Sequence, residues 1–173
     1  MNTIEAQKLV EEKVVSKMPD CAVIEKSTQE HEKCFVFYYQ SKDFIKSNDI
    51  RDMLVGQGPV IVDKATGNIY ETGSAYSTEH YVAAFEACGD PYGEPSPTII
   101  ITGWKKGADK VGATKLVKQA AGIGLSEAKN VIDSVLDGNE EMVTLLDLEK
   151  IHNVVEQLEA LGFNNKQLWS SQC

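Results

Sequence analysis

The side chains able to hold a metal or to act as nucleophiles are scattered along this chain. They are the four cysteines and three histidines, Cys21, Cys34, Cys88, Cys173, His31, His80 and His152. No two cysteines have the CxxC spacing of a zinc or redox site, and no GxSxG segment places a serine on a sharp turn. The pattern predicts buried or unused thiols, with no metal and no cofactor.

Two further segments have some of the residues that catalysis needs. Asp63 and Glu71 fall on neighbouring predicted strands, where they could form an acid/base pair, but acids on an exposed hairpin give the same pattern and are favoured. The segment from Gly122 to Glu127 begins like a dinucleotide-binding loop, but Glu127 replaces the third glycine and the segment joins two helices. We therefore predict a binding protein and not an enzyme.

Composition narrows the class of protein further. The chain has 173 residues, of which 42% are hydrophobic and 25% charged, and its net charge is −9. These values are typical of a globular protein with one large or two small domains. The first residues are interrupted by charges, and no apolar run is long enough to span a bilayer, so we expect a cytoplasmic protein without a membrane partner.

A basic segment interrupts this acidic chain between residues 105 and 129. Six lysines stand there against Asp109 and Glu127, a local balance of +4. Apolar residues at helical spacing, broken by Gly122 and Gly124, predict two helices joined by a tight turn. The lysines would then lie on solvent-facing sides, either as a partner surface or as an ordinary solvated face.

The same segment resembles the C-terminal domain of the bacterial ribosomal stalk protein. The positions that match its pattern without a gap are Lys110, Val111, Lys115, Val117, Lys118, Gly122, Ile123, Gly124, Leu125, Glu127, Ala128 and Lys129. In that family the helical hairpin receives translation GTPases, so the resemblance implies such a partner. The contact positions that it implies are Val111, Lys115, Lys118 and Lys129, together with Thr114, where the family usually has an apolar residue.

The C-terminal domain is predicted to contain strand, helix, helix, strand and helix in that order. The β-branched run 98–102 and the run 142–146 are the strands, and the apolar stripe 148–161 is the last helix, which Gly162 ends. Residues 164–173 do not match the closing strand of the stalk family. One layer of helices on a small sheet would bury these stripes.

Prolines and glycines mark the boundary between two domains. Residues 89–97 contain three of the five prolines, which predicts a linker or stiff loop. We expect domains at 1–92 and 98–173, joined by a linker at 93–97. The acidic charge lies in the N-terminal part, because residues 1–95 carry nine basic and sixteen acidic side chains, net −7.

The N-terminal domain is predicted to be a helix, an antiparallel sheet and a second helix, so the whole chain is α+β with two small domains. An apolar face from Ala6 to Met18 indicates the first helix, which Pro19 ends. Ser77 or Thr78 caps the second helix. The predicted strands are 21–25, 34–39, 59–62 and 68–72, and residues 41–51 are expected to form a charged loop.

The segment from Leu54 to Phe85 resembles the immunity protein 35 family, and the likeness extends more loosely to Thr3. The matching positions are Gly56, Gly58, Pro59, Val62, Asp63, Thr66, Gly67, Tyr70, Thr72, Gly73 and Tyr81. The resemblance implies a bacterial antitoxin that binds a delivered protein toxin and so protects its own cell or its kin. The toxin itself is left open, as a nuclease, a peptidase or a modifier of a translation factor.

Aromatic residues beside acidic ones indicate a candidate inhibitory edge in this domain. The residues concerned are Tyr38, Tyr39, Asp43, Asp49 and Asp52. Aromatic anchors ringed by charge suit a tight interface, and a solvated loop beside two core tyrosines fits the same pattern. No direct contact with nucleic acid is expected.

Three hypotheses for the whole chain follow. The first is an immunity protein that neutralises its toxin stoichiometrically, with the stalk-like domain as a second binding surface. In the second, the stalk-like domain only extends the interface with the toxin. The third is a chaperone-like or translation-factor-binding adaptor that has no toxin partner.

Overall fold

The computed structural model describes residues 1–171, so Cys173 lies outside the described residues. The chain forms two compact units. The N-terminal unit comprises Met1–Gly93 together with Ser171. The C-terminal unit comprises Glu94–Ser170. Both units combine helices with antiparallel strands, which confirms the predicted α+β class.

The N-terminal unit is built around one antiparallel sheet. Its helices and strands are α1 (Thr3–Lys13), β1 (Cys21–Val23), β2 (Gln29–Glu30), β3 (Cys34–Phe37), β4 (Tyr39–Ser41), α2 (Lys42–Ser47), β5 (Gln57–Asp63), β6 (Ile69–Gly73) and α3 (Thr78–Cys88). The main sheet has the order β2-β3-β5-β6, and β1 pairs with β4 in a separate two-stranded sheet. The turn between β5 and β6 places Gly67 at φ 75°, a conformation that glycine adopts readily.

The side chains of β3 alternate between the two faces of the sheet, and the core of this unit is divided between those faces. Phe35 and Phe37 pack with α1, whereas Cys34 and Val36 pack with α3. Successive side chains of a strand point to opposite faces, so a run that is apolar at every position is buried on both sides. The sheet therefore lies between α1 and α3.

Three N-terminal elements differ from the predicted ones. Helix α1 ends at Lys13 and a 3₁₀ turn, Val15–Lys17, follows it, which keeps both Val14 and Val15 in the core. The predicted strand 34–39 is divided at Tyr38, whose carbonyl accepts a hydrogen bond from the Ile24 N–H at 2.7 Å. The predicted loop 41–51 contains α2, which Ser41 caps, and part of a 3₁₀ turn, Ile50–Asp52.

The C-terminal unit covers one face of a three-stranded sheet with helices. Its elements are β7 (Glu94–Trp104), α4 (Lys110–Ala121), α5 (Leu125–Leu136), β8 (Glu141–Thr144), α6 (Ile151–Ala160) and β9 (Phe163–Ser170). The strand order is β8-β7-β9, antiparallel throughout. The core joins the strands to all three helices through residues such as Ile99, Ile101, Val117, Ile132 and Leu158.

Two features of this sheet were not predicted. Strand β7 begins at Glu94, within the residues expected to form a linker, and its register with β9 shifts between Pro95 and Ile99. Proline cannot donate to a ladder, so an irregular stretch at the start of a strand tolerates it. Strand β9 is mostly polar, so no apolar alternation marked it, but its backbone pairs with β7 from Phe163 to Ser170.

Candidate partner-binding surfaces

The N-terminal unit exposes four apolar side chains in a short segment between β4 and β5. They are Ile45 on α2, Ile50 in the following 3₁₀ turn, and Met53 and Val55 just after it. Ile50 is 75% exposed and Val55 is 74% exposed. We name residues 42–56 the α2 surface. Several large apolar side chains left in water within so short a segment are typical of a protein-binding surface.

A buried glutamine holds the C-terminal end of the α2 surface in place. The Gln40 side chain accepts a hydrogen bond from the Leu54 N–H at 2.5 Å and donates one to the Leu54 carbonyl at 2.9 Å. The same side-chain oxygen also accepts the Ser41 N–H at 2.9 Å. Because Gln40 is itself buried, water does not compete for these bonds, and the backbone at Leu54 is held in place.

Serine hydroxyls hold the middle of the segment. Ser41 caps α2 by accepting the Phe44 N–H at 3.0 Å, and its hydroxyl donates to the Asp52 carbonyl. Ser47 donates to the Asp52 carboxylate at 2.9 Å. These bonds tie the 3₁₀ turn to both ends of α2. The apolar side chains therefore project from a backbone that is already ordered.

The predicted acidic residues lie on this surface but are largely engaged there. Asp49 caps the 3₁₀ turn and pairs with Arg51 at 2.6 Å, and the bonds from Arg51 hold the pKa of Asp49 below its ordinary value. Asp52 accepts the bond from Ser47, and Asp43 is exposed in the first turn of α2. Residues 42–56 contain three basic and three acidic side chains, so the α2 surface is electrically neutral.

The two predicted aromatic anchors do not lie on the exposed face. Tyr39 is only 9% exposed and packs in the α1 core with Phe37, and burial raises its pKa. Tyr38 is half-buried, and its hydroxyl shares a 2.7 Å hydrogen bond with the Thr78 hydroxyl. Alternation along the chain directs Tyr39 inward, so it offers little surface as an anchor in this fold, and partner contact by either tyrosine stays a prediction.

Exposed tyrosines occur instead near the start of α3 and after it. Tyr76 stacks on the His80 ring with centroids 4.4 Å apart, and Tyr92 meets the Tyr81 ring edge-on at 5.7 Å. Both Tyr76 and Tyr92 keep a large exposed area. No pattern in the sequence distinguished these two exposed tyrosines from Tyr81, which belongs to the same cluster but is a core residue.

The helical hairpin of the C-terminal unit places most of the predicted contact residues in solvent. Val111, Lys115, Lys118 and Lys129 are exposed, as is Leu125 at the start of α5. Thr114 is only 7% exposed, and its hydroxyl donates to the Lys110 carbonyl at 2.8 Å. Thr114 therefore faces the core of the unit and offers little surface to a partner, and the contact role of the hairpin residues stays a prediction.

The residues that could support catalysis are used in other ways. The Asp63 carboxylate accepts the Ala65 N–H at 2.8 Å and the Thr66 hydroxyl at 2.5 Å, so it stabilises the β5–β6 turn. Glu71 lies opposite Val60 and pairs with Lys17 at 3.5 Å. The two carboxylates are therefore not cross-strand partners. Within residues 1–171, no three His, Cys, Asp or Glu side chains converge as a metal site would require.

The length and polarity of the helices bear on membrane insertion. None of the helices described between Met1 and Ser171 is long and apolar enough to cross a bilayer.

Comparison with known proteins supports the resemblance of the N-terminal part. Residues 5–84 match the family model described as immunity protein 35, which confirms the N-terminal resemblance. The uncharacterized protein YrhB of Escherichia coli strain K12 is 30% identical over 59 residues, which are 34% of this chain and 63% of that protein. The matched region thus spans less than two thirds of that relative. No solved structure matches the chain significantly. The likeness of the C-terminal unit to the ribosomal stalk protein stays a prediction.

Proposed function

We propose that this protein is an immunity protein that neutralises a cognate protein toxin by direct, stoichiometric binding. The observation that carries this proposal is the match of residues 5–84 to the immunity protein 35 family. The matched residues include most of α1, the main sheet, the α2 surface and most of α3. The proposal therefore assigns toxin binding to the N-terminal unit and expects no catalysis by this chain.

The negative charge of the N-terminal residues supports the capture of a toxin that is already close to this protein. The N-terminal residues 1–95 carry a net charge of −7, which attracts a basic partner and raises the rate of encounter. Screening confines this attraction to about 8 Å at physiological ionic strength. We place the encounter in the cytoplasm, where a toxin delivered into a cell would meet its inhibitor.

We assign a second binding role to the hairpin of the C-terminal unit, with a translation GTPase as its partner. Exposed Val111 and Leu125 lie on helices that also carry Lys115, Lys118 and Lys129, so apolar contact and positive charge occur together. Replacing both Lys115 and Lys118 by Glu should abolish capture of a translation GTPase. Unchanged capture would exclude this role, and a loss of toxin affinity would instead indicate that the hairpin extends the toxin interface.

The central proposal is tested by growth. The toxin to be tested is sought among protein domains encoded by genes next to that of this protein, and it is expressed in a sensitive cell, alone and together with the full chain. Rescue of growth, with recovery of a stoichiometric complex, is the expected result. Failure to rescue, with a translation factor bound in place of the toxin, would favour the adaptor hypothesis.

A further inference from the structure

We propose that the α2 surface is the part of the N-terminal unit that docks onto the toxin, and that Ile50 and Val55 insert into an uncharged apolar pocket of that toxin. This inference rests on the proposed immunity function and names the contact through which it acts. It keeps the segment that contains the predicted Asp43, Asp49 and Asp52, but it assigns the main contact to the apolar side chains beside them.

Exposure and order occur together on this surface. Ile50 and Val55 are about three-quarters exposed, yet the segment that carries them is fixed at Ser41, Asp52 and Leu54. A segment that is already ordered loses little conformational entropy when it binds, so more of its contact energy contributes to affinity. Exposed apolar side chains on an ordered backbone are the arrangement that a tight protein interface requires.

The charges of the segment indicate the chemistry of the partner. Arg51 is engaged by Asp49, and the Lys42 ammonium donates to the Pro19 carbonyl at 2.7 Å. The segment has no net charge, although the residues 1–95 that contain it have −7. A phosphate-rich partner needs free cations, and a basic cleft is complemented by free carboxylates. The exposed Lys46 and Asp43 contribute one charge of each sign, so a neutral apolar pocket is the surface that this segment complements.

Continuity with the family match indicates which partner is bound. The whole α2 surface lies within residues 5–84, the part that resembles immunity proteins. Its partner is therefore assigned as the toxin, and a second copy of this chain is the occupant to be excluded by experiment.

The chain offers a matched control for the test. Ile4 on α1 is 72% exposed, nearly the same as Ile50 at 75%. Ile4→Asp and Ile50→Asp therefore make the same chemical change at the same exposure on different elements. Val55→Asp provides an independent variant on the α2 surface. All three substitutions replace exposed side chains, so their thermal unfolding should match that of the unmodified chain.

The experiment measures the affinity of each full-length variant for the purified toxin domain encoded beside this protein, by isothermal titration calorimetry. We expect Ile50→Asp and Val55→Asp each to weaken binding by about 30-fold or more, as for central interface anchors, and Ile4→Asp to leave it within about twofold. Backbone amides of residues 44–56 should also become protected from hydrogen exchange in the unmodified complex.

Other outcomes separate this inference from the proposed function. If the unmodified chain binds the toxin but neither variant weakens binding and residues 44–56 gain no protection, the inference is wrong while the immunity function stands. If Ile50→Asp only converts a dimer of this chain to a monomer in sedimentation velocity, the surface joins two copies and the inference is also wrong. If the unmodified chain does not bind the toxin, both proposals fail.

Discussion

The side-chain amide of Gln40 pairs with both backbone polar groups of Leu54, a residue fourteen positions further along the chain. The two bonds, at 2.9 and 2.5 Å, imitate the pairing of neighbouring strands where no strand is present. They hold the segment that carries Ile50 and Val55 against β4. The order of the α2 surface therefore depends on a residue that does not belong to it.

Gln40→Ala should lower both the stability of the protein and its affinity for the toxin. The Leu54 N–H loses its partner, which costs about 1–3 kcal/mol of unfolding free energy. Toxin binding should weaken as well, because the segment must then be ordered on binding. Chemical denaturation and calorimetric titration measure the two effects. Gln7→Ala removes a glutamine that bonds only Glu11 on helix α1 and should change stability by less than about 0.5 kcal/mol.

Gly58→Ala should destabilise the N-terminal unit because strand β6 leaves no room for a side chain. A Cβ atom at Gly58 would lie 2.1 Å from the Gly73 carbonyl oxygen and 2.5 Å from the Thr72 hydroxyl. We expect a loss of about 1–3 kcal/mol in denaturant unfolding, as for an overpacked core. Gly73→Ala on the facing strand meets no atom within 4 Å and serves as the control. Equal stability of the two variants would contradict the close approach of β6 to Gly58.

Cys34 should make the stability of the protein depend on alkaline pH. Burial, reinforced by Glu86, raises the pKa of its thiol to about 11 from an ordinary value of 9.0. The folded state then holds a proton that the unfolded state releases, so this contribution is complete below pH 9 and is lost as pH rises towards 11. Between pH 8 and pH 10.5, the unfolding free energy should therefore fall more in the unmodified chain than in Cys34→Ala. An equal fall in both proteins would show that Cys34 makes no such contribution.

Local sequence patterns predicted the elements that bury a continuous apolar face. Ser77, one of the two residues predicted to cap helix α3, is its N-cap, and the helices of the hairpin are separated at Gly122 as expected. The same patterns place Tyr39 inward, since it shares the face of Phe35 and Phe37, so its burial could have been predicted. Strand β9 could not have been predicted, because its pairing with β7 depends on backbone hydrogen bonds that leave no pattern in a polar segment.

The α2 surface could not be predicted from the sequence for a different reason. An isolated isoleucine or valine in a sequence is usually a core residue, so Ile50 and Val55 gave no signal of exposure. Their exposure results from the bonds of Gln40 and Ser41, which join residues eleven to fourteen positions apart. Polar contacts at that separation have no fixed sequence spacing. Only the folded chain reveals that Asp49 pairs with Arg51 and that Asp52 accepts a hydrogen bond from Ser47.

The most direct test of the immunity function is a titration of toxin activity with the purified full chain. Increasing amounts of this protein are added to a fixed amount of the toxin domain encoded beside it, and the remaining toxin activity is measured. Direct stoichiometric binding predicts a linear loss of activity that is complete at a constant molar ratio, with one complex on gel filtration. Full toxin activity in the presence of excess protein, with no complex formed, would contradict the proposed function.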